Sequence, residues 1–90
     1  MKREKDGEFK ENLDQLDLHG KTLKEAEHEV EMFLFTLYKS GIGSCKIITG
    51  SGNNVLFPGI KKYLENHALV RKFFEPPGSE RTAFLVEIGT

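Results

Sequence analysis

A single amphipathic helix places the strongest constraint on how this chain can fold. Thr22 is followed three residues later by Glu25, which is the reciprocal capping pattern of a helix start. Gly41 supplies a left-handed cap at the other end, and Ile42 can close it hydrophobically. The apolar residues between these signals recur at three- and four-residue steps and form one stripe: Leu23, Ala26, Val30, Phe33, Leu34, Leu37 and Tyr38. We expect this stripe to face a sheet.

Segments typical of strands flank this helix on both sides. Residues 13–20 alternate apolar and polar side chains from Leu16 onward and stop at Gly20, which predicts a strand. Residues 45–49 predict a second strand, buried on both faces if it is parallel, and residues 50–54 are turn formers. A strand, a helix and a strand in this order favour parallel pairing through a right-handed crossover.

The rest of the chain predicts a second, shorter helix and two closing strands. The helix starts near Pro58, where the missing N–H does no harm, and ends around His67. Strands follow at about residues 70–74 and 82–88, and residues 76–79 make the hairpin connection between them. The predicted fold class is α/β, a two-layer sandwich of order β-α-β-α-β-β with a mixed four-stranded sheet.

The length of the chain is that of one compact domain, because 90 residues do not supply two cores of useful size. Residues 1–12 are mostly charged and too poor in apolar side chains to repay the entropy of ordering. We therefore expect a flexible charged tail before a domain of residues 13–90. The chain has a charged amino terminus and lacks an apolar run of about 18 residues, so we expect a cytoplasmic protein without a membrane partner.

The charge of the chain is nearly balanced, with 13 basic and 14 acidic residues and a net charge of −1. It therefore lacks the broad positive field that non-specific nucleic-acid binders usually carry. The distribution is nevertheless uneven, since acidic and basic residues are concentrated in different stretches: Glu25, Glu27, Glu29 and Glu31 in one, and Lys61, Lys62, Arg71 and Lys72 in another. The single cysteine, Cys45, has no partner for a disulfide and is expected to be a small buried hydrophobe.

Two motifs lie where the first two predicted strands end. The first is Leu-Asp-Leu-His-Gly at residues 16–20, and the second is Thr-Gly-Ser-Gly at residues 49–52. The carboxyl ends of parallel strands gather along one edge of a sheet, where ligands bind in a crevice. Both motifs should therefore share one crevice, with Asp17 and His19 on the same side of their strand. The glutamates of the first helix should lie away from it, because they would repel an anionic ligand.

The glycines of the second motif, Gly50 and Gly52, admit two interpretations. Without side chains, their backbone N–H groups can point together into an anion-binding nest for a phosphate, and Thr49 and Ser51 could add hydroxyl donors. The alternative is that two glycines only allow a tight turn after a strand.

The two motifs together resemble those of the Smr (small MutS-related) domain family. Smr domains share an L-D-L-H-G stretch near their start and an H-or-T-G-x-G stretch in their middle, and the resemblance covers about residues 15–88 in element order. It implies a fold similar to the C-terminal domain of bacterial translation initiation factor three, and endonuclease activity on DNA or RNA. The chain departs from many Smr domains at Ser51, where they place a basic residue, and from some at Thr49, where they place histidine.

Asp17 and His19 are the candidate catalytic residues. Cleavage of a phosphodiester needs an activated nucleophile, a protonated leaving oxygen and neutralised charge on phosphorus, commonly through a divalent metal. Asp17 could orient water or hold Mg²⁺ or another divalent cation, and His19 could act as general acid or base near neutral pH. The alternative is that both residues cap backbone groups at the end of the strand and stabilise the turn through Gly20.

Other side chains are candidates for contact with a nucleic acid. Lys21 is the favoured phosphate ligand because it directly follows the first motif; the other basic candidates are Lys24, Lys61, Lys62, Arg71, Lys72 and Arg81. Phe35 and Phe57 are the aromatic residues expected at the surface, where either could stack on an unpaired base.

Three functions are compatible with these features. The first is a small metal-assisted nicking endonuclease, the second is a nucleic-acid-binding module without catalysis, and the third is a domain that binds a phosphometabolite or a protein partner. A nuclease assay with and without Mg²⁺ separates the first two, and salt-dependent binding to oligonucleotides separates both from the third.

Overall fold

The computed structural model describes residues 13–51 and 54–89, and its elements follow the predicted order. They are β1 Asp14–Asp17, α1 Leu23–Lys39, β2 Ser44–Ile48, α2 Leu56–Glu65, β3 Val70–Phe74 and β4 Ala83–Ile88. The expected flexible tail, residues 1–12, lies outside the described residues, as does Gly52 of the second motif. No helix within the described ranges is long and apolar enough to cross a membrane.

The ends of α1 are formed by the predicted capping residues. The hydroxyl of Thr22 accepts a hydrogen bond from the backbone N–H of Glu25, and the Glu25 carboxylate accepts one from the backbone N–H of Thr22. At the other end Gly41 has a φ of 77°, and the Ile42 N–H donates to the Leu37 carbonyl at 2.9 Å. These bonds satisfy terminal groups that the helix itself leaves unpaired, so both predicted ends are confirmed.

The sheet has the strand order β1-β2-β4-β3, which places β2 and β4 in its centre. β1 and β2 are parallel, with Asp17 opposite Ile48, whereas β4 is antiparallel to both of its neighbours. Because β4 runs against β2, its first residue, Ala83, lies opposite the last residue of β2, Ile48. The carboxyl ends of β1 and β2 and the start of β4 therefore meet at one edge of the sheet.

Both helices pack on the same face of the sheet and form one core with it. The residues of this core alternate along the central strands, where Cys45, Ile47, Phe84 and Val86 are buried. The prediction that the second strand is buried on both faces if parallel is wrong, since Ser44, Lys46 and Ile48 are only partly covered. One layer of helices leaves the other face of the sheet open, which is the two-layer arrangement expected for this fold class. Cys45 is a buried free thiol as predicted, and burial raises its pKa to about 12.

The second helix begins and ends two residues earlier than the predicted Pro58 and His67. Pro58 is its third residue, and its missing N–H is still harmless because the first N–H groups of a helix have no acceptor within the helix. His67 lies beyond the end of α2, where its Nδ1 accepts a hydrogen bond from the Leu69 N–H at 3.0 Å. Its Nε2 is 2.6 Å from Oε1 of Glu31 on α1, so this side chain joins the two helices.

Candidate functional site

The two sequence motifs meet in one cleft of about 400 Å³ at the carboxyl ends of β1 and β2. The residues that line it within the described chain are Asp17, His19, Gly20, Ile48, Thr49, Gly50 and Ser51. Asp17, His19 and Gly50 thus lie together, as expected for neighbouring parallel strands. None of the α1 glutamates is among the lining residues, in agreement with the prediction that they lie away from the crevice.

Asp17 and His19 form a hydrogen-bonded pair at the end of β1. Oδ1 of Asp17 accepts the backbone N–H of His19 at 3.0 Å and lies 2.9 Å from Nδ1 of the same residue. An ionised carboxylate can only accept, so Nδ1 of the imidazole carries the proton in this bond. The Asp17 side chain therefore holds both the turn and the orientation of the imidazole ring.

The ionisation of Asp17 follows from the same two contacts. The hydrogen bond from the His19 backbone lowers the pKa of Asp17 below its usual value of 3.8, and the bond from the His19 side chain lowers it further. Asp17 is therefore a carboxylate near neutral pH and a weak base. With Nδ1 engaged, Nε2 of His19 is the nitrogen left to exchange a proton with a ligand or with water. The side chains of His19 and Asp17 are 77% and 54% exposed, so both are accessible from solvent.

Thr49 lies at the base of the cleft and is completely buried. Its backbone N–H and its hydroxyl both donate to the carbonyl oxygen of Thr82, at 2.8 Å and 3.2 Å. The Gly50 N–H donates to the same oxygen at 3.3 Å. These two N–H groups are therefore already bonded to the start of β4, and Ser51 is the other described residue of the second motif that lines the cleft.

Gly50 is required by the local backbone and by close packing. Its φ is 93°, in the left-handed region that favours glycine. A Cβ atom at this position would lie 2.9 Å from Cβ of His19, which is closer than real Cβ contacts come. Glycine therefore allows the two motifs to approach each other, and this holds for both the nest and the tight-turn interpretation.

Two residues outside the lining of the cleft, Lys21 and Thr82, lie next to it in sequence or through a hydrogen bond. Lys21 is half-buried just after the first motif, and its backbone N–H donates to the Leu18 carbonyl at 3.1 Å, but it does not line the cleft. The sequence does not indicate Thr82 as a site residue, although its carbonyl accepts the N–H groups of the Thr49–Gly50 turn. No local sequence signal marks it, since the contact joins residues separated by 33 positions in the chain.

The cleft offers few ligands for a metal ion. Asp17 is the only carboxylate among its described lining residues, and one of its oxygens already accepts two hydrogen bonds. Nowhere in the described ranges do three His, Cys, Asp or Glu side chains come together as a metal-binding group. This donor set does not fit a resident metal ion, since even Mg²⁺, which keeps several waters, is usually bound through one or two carboxylates together with substrate phosphates.

The pairing of these motifs within this fold matches one known family. The model of the Smr domain matches residues 16–87 of the chain. The chain belongs to the Smr domain family. A crystal structure of the Smr domain of Thermus thermophilus MutS2 has a TM-score of 0.81 and 25% sequence identity with it, covering 87% of this chain and 100% of that one. The predicted family and the predicted fold class are both confirmed.

Curated relatives of this Smr domain are much longer proteins. Endonuclease MutS2 of Caldanaerobacter subterraneus subsp. tengcongensis is 41% identical over 58 residues, which are 64% of this chain and 7% of that protein. Endonuclease MutS2 of Streptococcus pyogenes is 37% identical over 62 residues, which are 69% of this chain and 8% of that protein. The chain thus spans less than a tenth of the length of these relatives.

Proposed function

We propose that this Smr domain binds DNA or RNA in the cleft and hydrolyses a phosphodiester bond there. The observation that carries the proposal is the hydrogen-bonded pair of Asp17 and His19 beside the turn at Gly50. Membership of the Smr family supports a nucleic acid as the ligand, and the relatives named endonuclease MutS2 support cleavage.

In this mechanism His19 exchanges the proton, and Asp17 positions the imidazole ring of His19. Nε2 of a neutral His19 takes a proton from the attacking water, or the protonated ring gives one to the leaving oxygen. Asp17 holds Nδ1 and stabilises the imidazolium that forms, which is the part a carboxylate plays in other acid–base pairs. Because its lowered pKa makes Asp17 a weak base, it acts through His19 and not as the base itself.

The phosphate is held by donors around the Gly50 turn. The exposed residue Ser51 lines the cleft and offers a neutral hydroxyl donor, and Lys21, which directly follows the first motif, adds positive charge. Asp17 is the carboxylate among the described lining residues that would contact a divalent cation, which would neutralise charge on the phosphate. Cleavage compared in Mg²⁺ and in EDTA tests whether the reaction requires such a cation.

The decisive experiment replaces the pair and measures cutting and binding separately. His19→Ala should lower cleavage of a labelled oligonucleotide by about a hundredfold or more, the usual contribution of a lost general acid or base. Asp17→Asn should also lower it sharply while leaving affinity nearly intact, because the amide keeps the shape but loses the charge. His28→Ala, which removes an exposed imidazole from α1, is the matched control and should cut like the parent.

A binding module without catalysis is the second candidate. The exposure of the pair favours it, because nothing in the described structure covers His19 and excludes water from it. Parent-like cleavage by both His19→Ala and Asp17→Asn would remove the pair from the mechanism. Binding without any cleavage by the parent chain would establish the second candidate.

A further inference from the structure

The turn at Thr49 and Gly50, called the glycine turn below, carries no positive charge of its own. Residues 49–57 contain neither lysine nor arginine, so a phosphate bound at this turn would need its countercharge from another part of the chain. On the side of β1 the cleft presents Asp17, a carboxylate that repels an anion, together with His19. Lys21 follows the first motif but does not line the cleft, so a countercharge close to the turn is expected on its opposite side.

The connection between β3 and β4 lies on that opposite side. β2 is placed between β1 and β4 in the sheet, and Thr82, directly before β4, accepts both N–H groups of the Thr49–Gly50 turn. The first motif and Thr82 therefore flank the glycine turn from its two sides. The residue before Thr82 is Arg81.

Arg81 is held in place by the aromatic core. Its guanidinium carbon lies 4.8 Å from the ring centroid of Phe57, within the range of a cation–π contact. Phe57 was expected at the surface, but it is only 2% exposed because α2 begins at Leu56, and its ring stacks on Phe84 at 4.6 Å. The guanidinium thus rests on a rigid surface while Arg81 itself is exposed. Among the ion pairs of the described chain, none involves Arg81.

The backbone at Arg81 is in an uncommon conformation. Glu80 and Arg81 have φ values of 53° and 63°, and in residues 13–51 and 54–89 they are the only residues other than glycine with positive φ. The Thr82 hydroxyl donates to the Ser79 carbonyl and closes this turn. Left-handed residues of this kind cluster at ligand-binding and active sites, where surrounding contacts hold them in place. Here the guanidinium of Arg81 lies on Phe57, and the next residue, Thr82, accepts the N–H groups of the glycine turn.

We propose that Arg81 forms a second phosphate subsite, which binds a backbone phosphate of the nucleic acid on the side of the glycine turn away from Asp17 and His19. The proposal rests on the proposed function and adds a residue from a third segment of the chain to it. Arginine suits this position because its planar fork of N–H donors matches phosphate oxygens and it stays charged at all relevant pH values. Stacking on Phe57 reduces the freedom that the side chain would lose on binding.

The experiment measures binding of the full chain to a fluorescein-labelled single-stranded oligonucleotide by anisotropy over a range of KCl concentrations. Arg81→Gln should weaken binding by about tenfold or more at low salt, as expected for a lost charged hydrogen bond. The slope of log K against log salt should become shallower by about 0.7, the value for one phosphate contact to a single strand. Arg81→Lys should keep the slope and recover only part of the affinity, because it keeps the charge and loses the fork.

Arg71→Gln is the matched control, because it removes the same charge from an exposed arginine of β3 that packs beside Gly89, past the far end of β4. It should bind within about twofold of the parent, and thermal unfolding of each variant verifies that it is folded. An Arg81→Gln variant that binds with parental affinity and slope would overturn the subsite while leaving the proposed function intact. Absence of any oligonucleotide binding by the parent chain would overturn the proposed function and the subsite with it.

Discussion

Thr49 has a structural role in the candidate site, because it connects β2 to the start of β4. Its side chain is completely buried, and its hydroxyl shares the Thr82 carbonyl with two backbone N–H groups. Hydrogen bonds of this kind contribute modestly when formed, but a buried polar group left without a partner is costly. The hydroxyl therefore helps to keep the glycine turn against β4.

Replacing Thr49 separates this structural part from phosphate binding. Thr49→Val keeps the shape and removes the hydroxyl, so the free energy of unfolding should fall by about 0.5–1.5 kcal/mol. Thr49→Ser keeps the donor and serves as the control. Urea unfolding measures stability, and oligonucleotide anisotropy measures affinity. If the hydroxyl also reaches a phosphate, Thr49→Val loses affinity under conditions where it is fully folded; unchanged affinity would assign Thr49 to the fold alone.

The residues of the site show how far sequence reasoning reaches at this scale. The sequence is sufficient to predict that one cleft contains Asp17, His19 and Gly50. Each of these residues ends or follows a strand, and the order of elements favours parallel pairing of the two strands. The hydrogen bonds of Thr82 could not be predicted, because they depend on the antiparallel pairing of β4 with β2, which joins segments distant in the chain. Gly50 is a poor test position for binding, because any side chain there would push against His19 and alter both motifs.

At the scale of elements, a cluster of three side chains joins the two helices. Oε1 of Glu31 on α1 accepts the hydroxyl of Tyr63 at 2.9 Å and lies 2.6 Å from Nε2 of His67. Because Nδ1 of His67 accepts the Leu69 N–H, the ring proton lies on Nε2 and is donated to Glu31. The hydrogen bond from His67, followed by that from Tyr63, lowers the pKa of Glu31 below its usual 4.5.

This cluster predicts a pH dependence of stability. A folded-state pKa below the unfolded one adds stability above about pH 4.5, and that stability is lost as pH falls through the lower folded pKa. Glu31→Gln should therefore lower the free energy of unfolding near pH 7, by less than about 1 kcal/mol because the carboxylate is half exposed. The difference from the parent should shrink as the pH falls below 4.5.

The measurement for this prediction is urea unfolding of both proteins across the acid range. Glu29→Gln, an exposed position on the same helix, provides the control and should show no such trend. A Glu31→Gln effect that is constant with pH would mean that the cluster acts through shape and not through the charge of Glu31.

The helices and strands themselves were largely predictable, for physical reasons that differ along the chain. α1 has a long apolar stripe and local capping bonds at both ends, so its limits depend on neighbouring residues alone. α2 has no side-chain cap at Val55, and packing of Leu56 and Phe57 into the core extends it backward past Pro58. One face of β2 is open because both helices pack on the other side of the sheet. The side on which the helices pack is not determined by the residue pattern of a single strand.

At the scale of the whole molecule, the balanced charge limits how this Smr domain can hold a nucleic acid. A net charge of −1 provides no general attraction for a polyanion, so binding must rest on a few local contacts. The two contacts proposed above are Lys21, which directly follows the first motif, and Arg81, which precedes Thr82. A protein that binds through few phosphates releases few counterions and depends only weakly on salt.

The last prediction is therefore a shallow salt dependence for the parent chain. Two phosphate contacts to a single strand give a slope of log K against log salt of about −1.4, and one further contact brings it to about −2. Charges at the other end of the sheet should add nothing at physiological salt, because a five-residue strand extends about 17 Å and the screening length is about 8 Å. Anisotropy titrations of the parent chain between about 0.1 and 0.3 M KCl, where the screening length is about 10 Å or less, measure the slope, and neutralising Arg71 should leave it unchanged. A slope steeper than about −4 would require an extended basic surface, and the nucleic acid would then have to cross parts of the molecule well beyond the cleft.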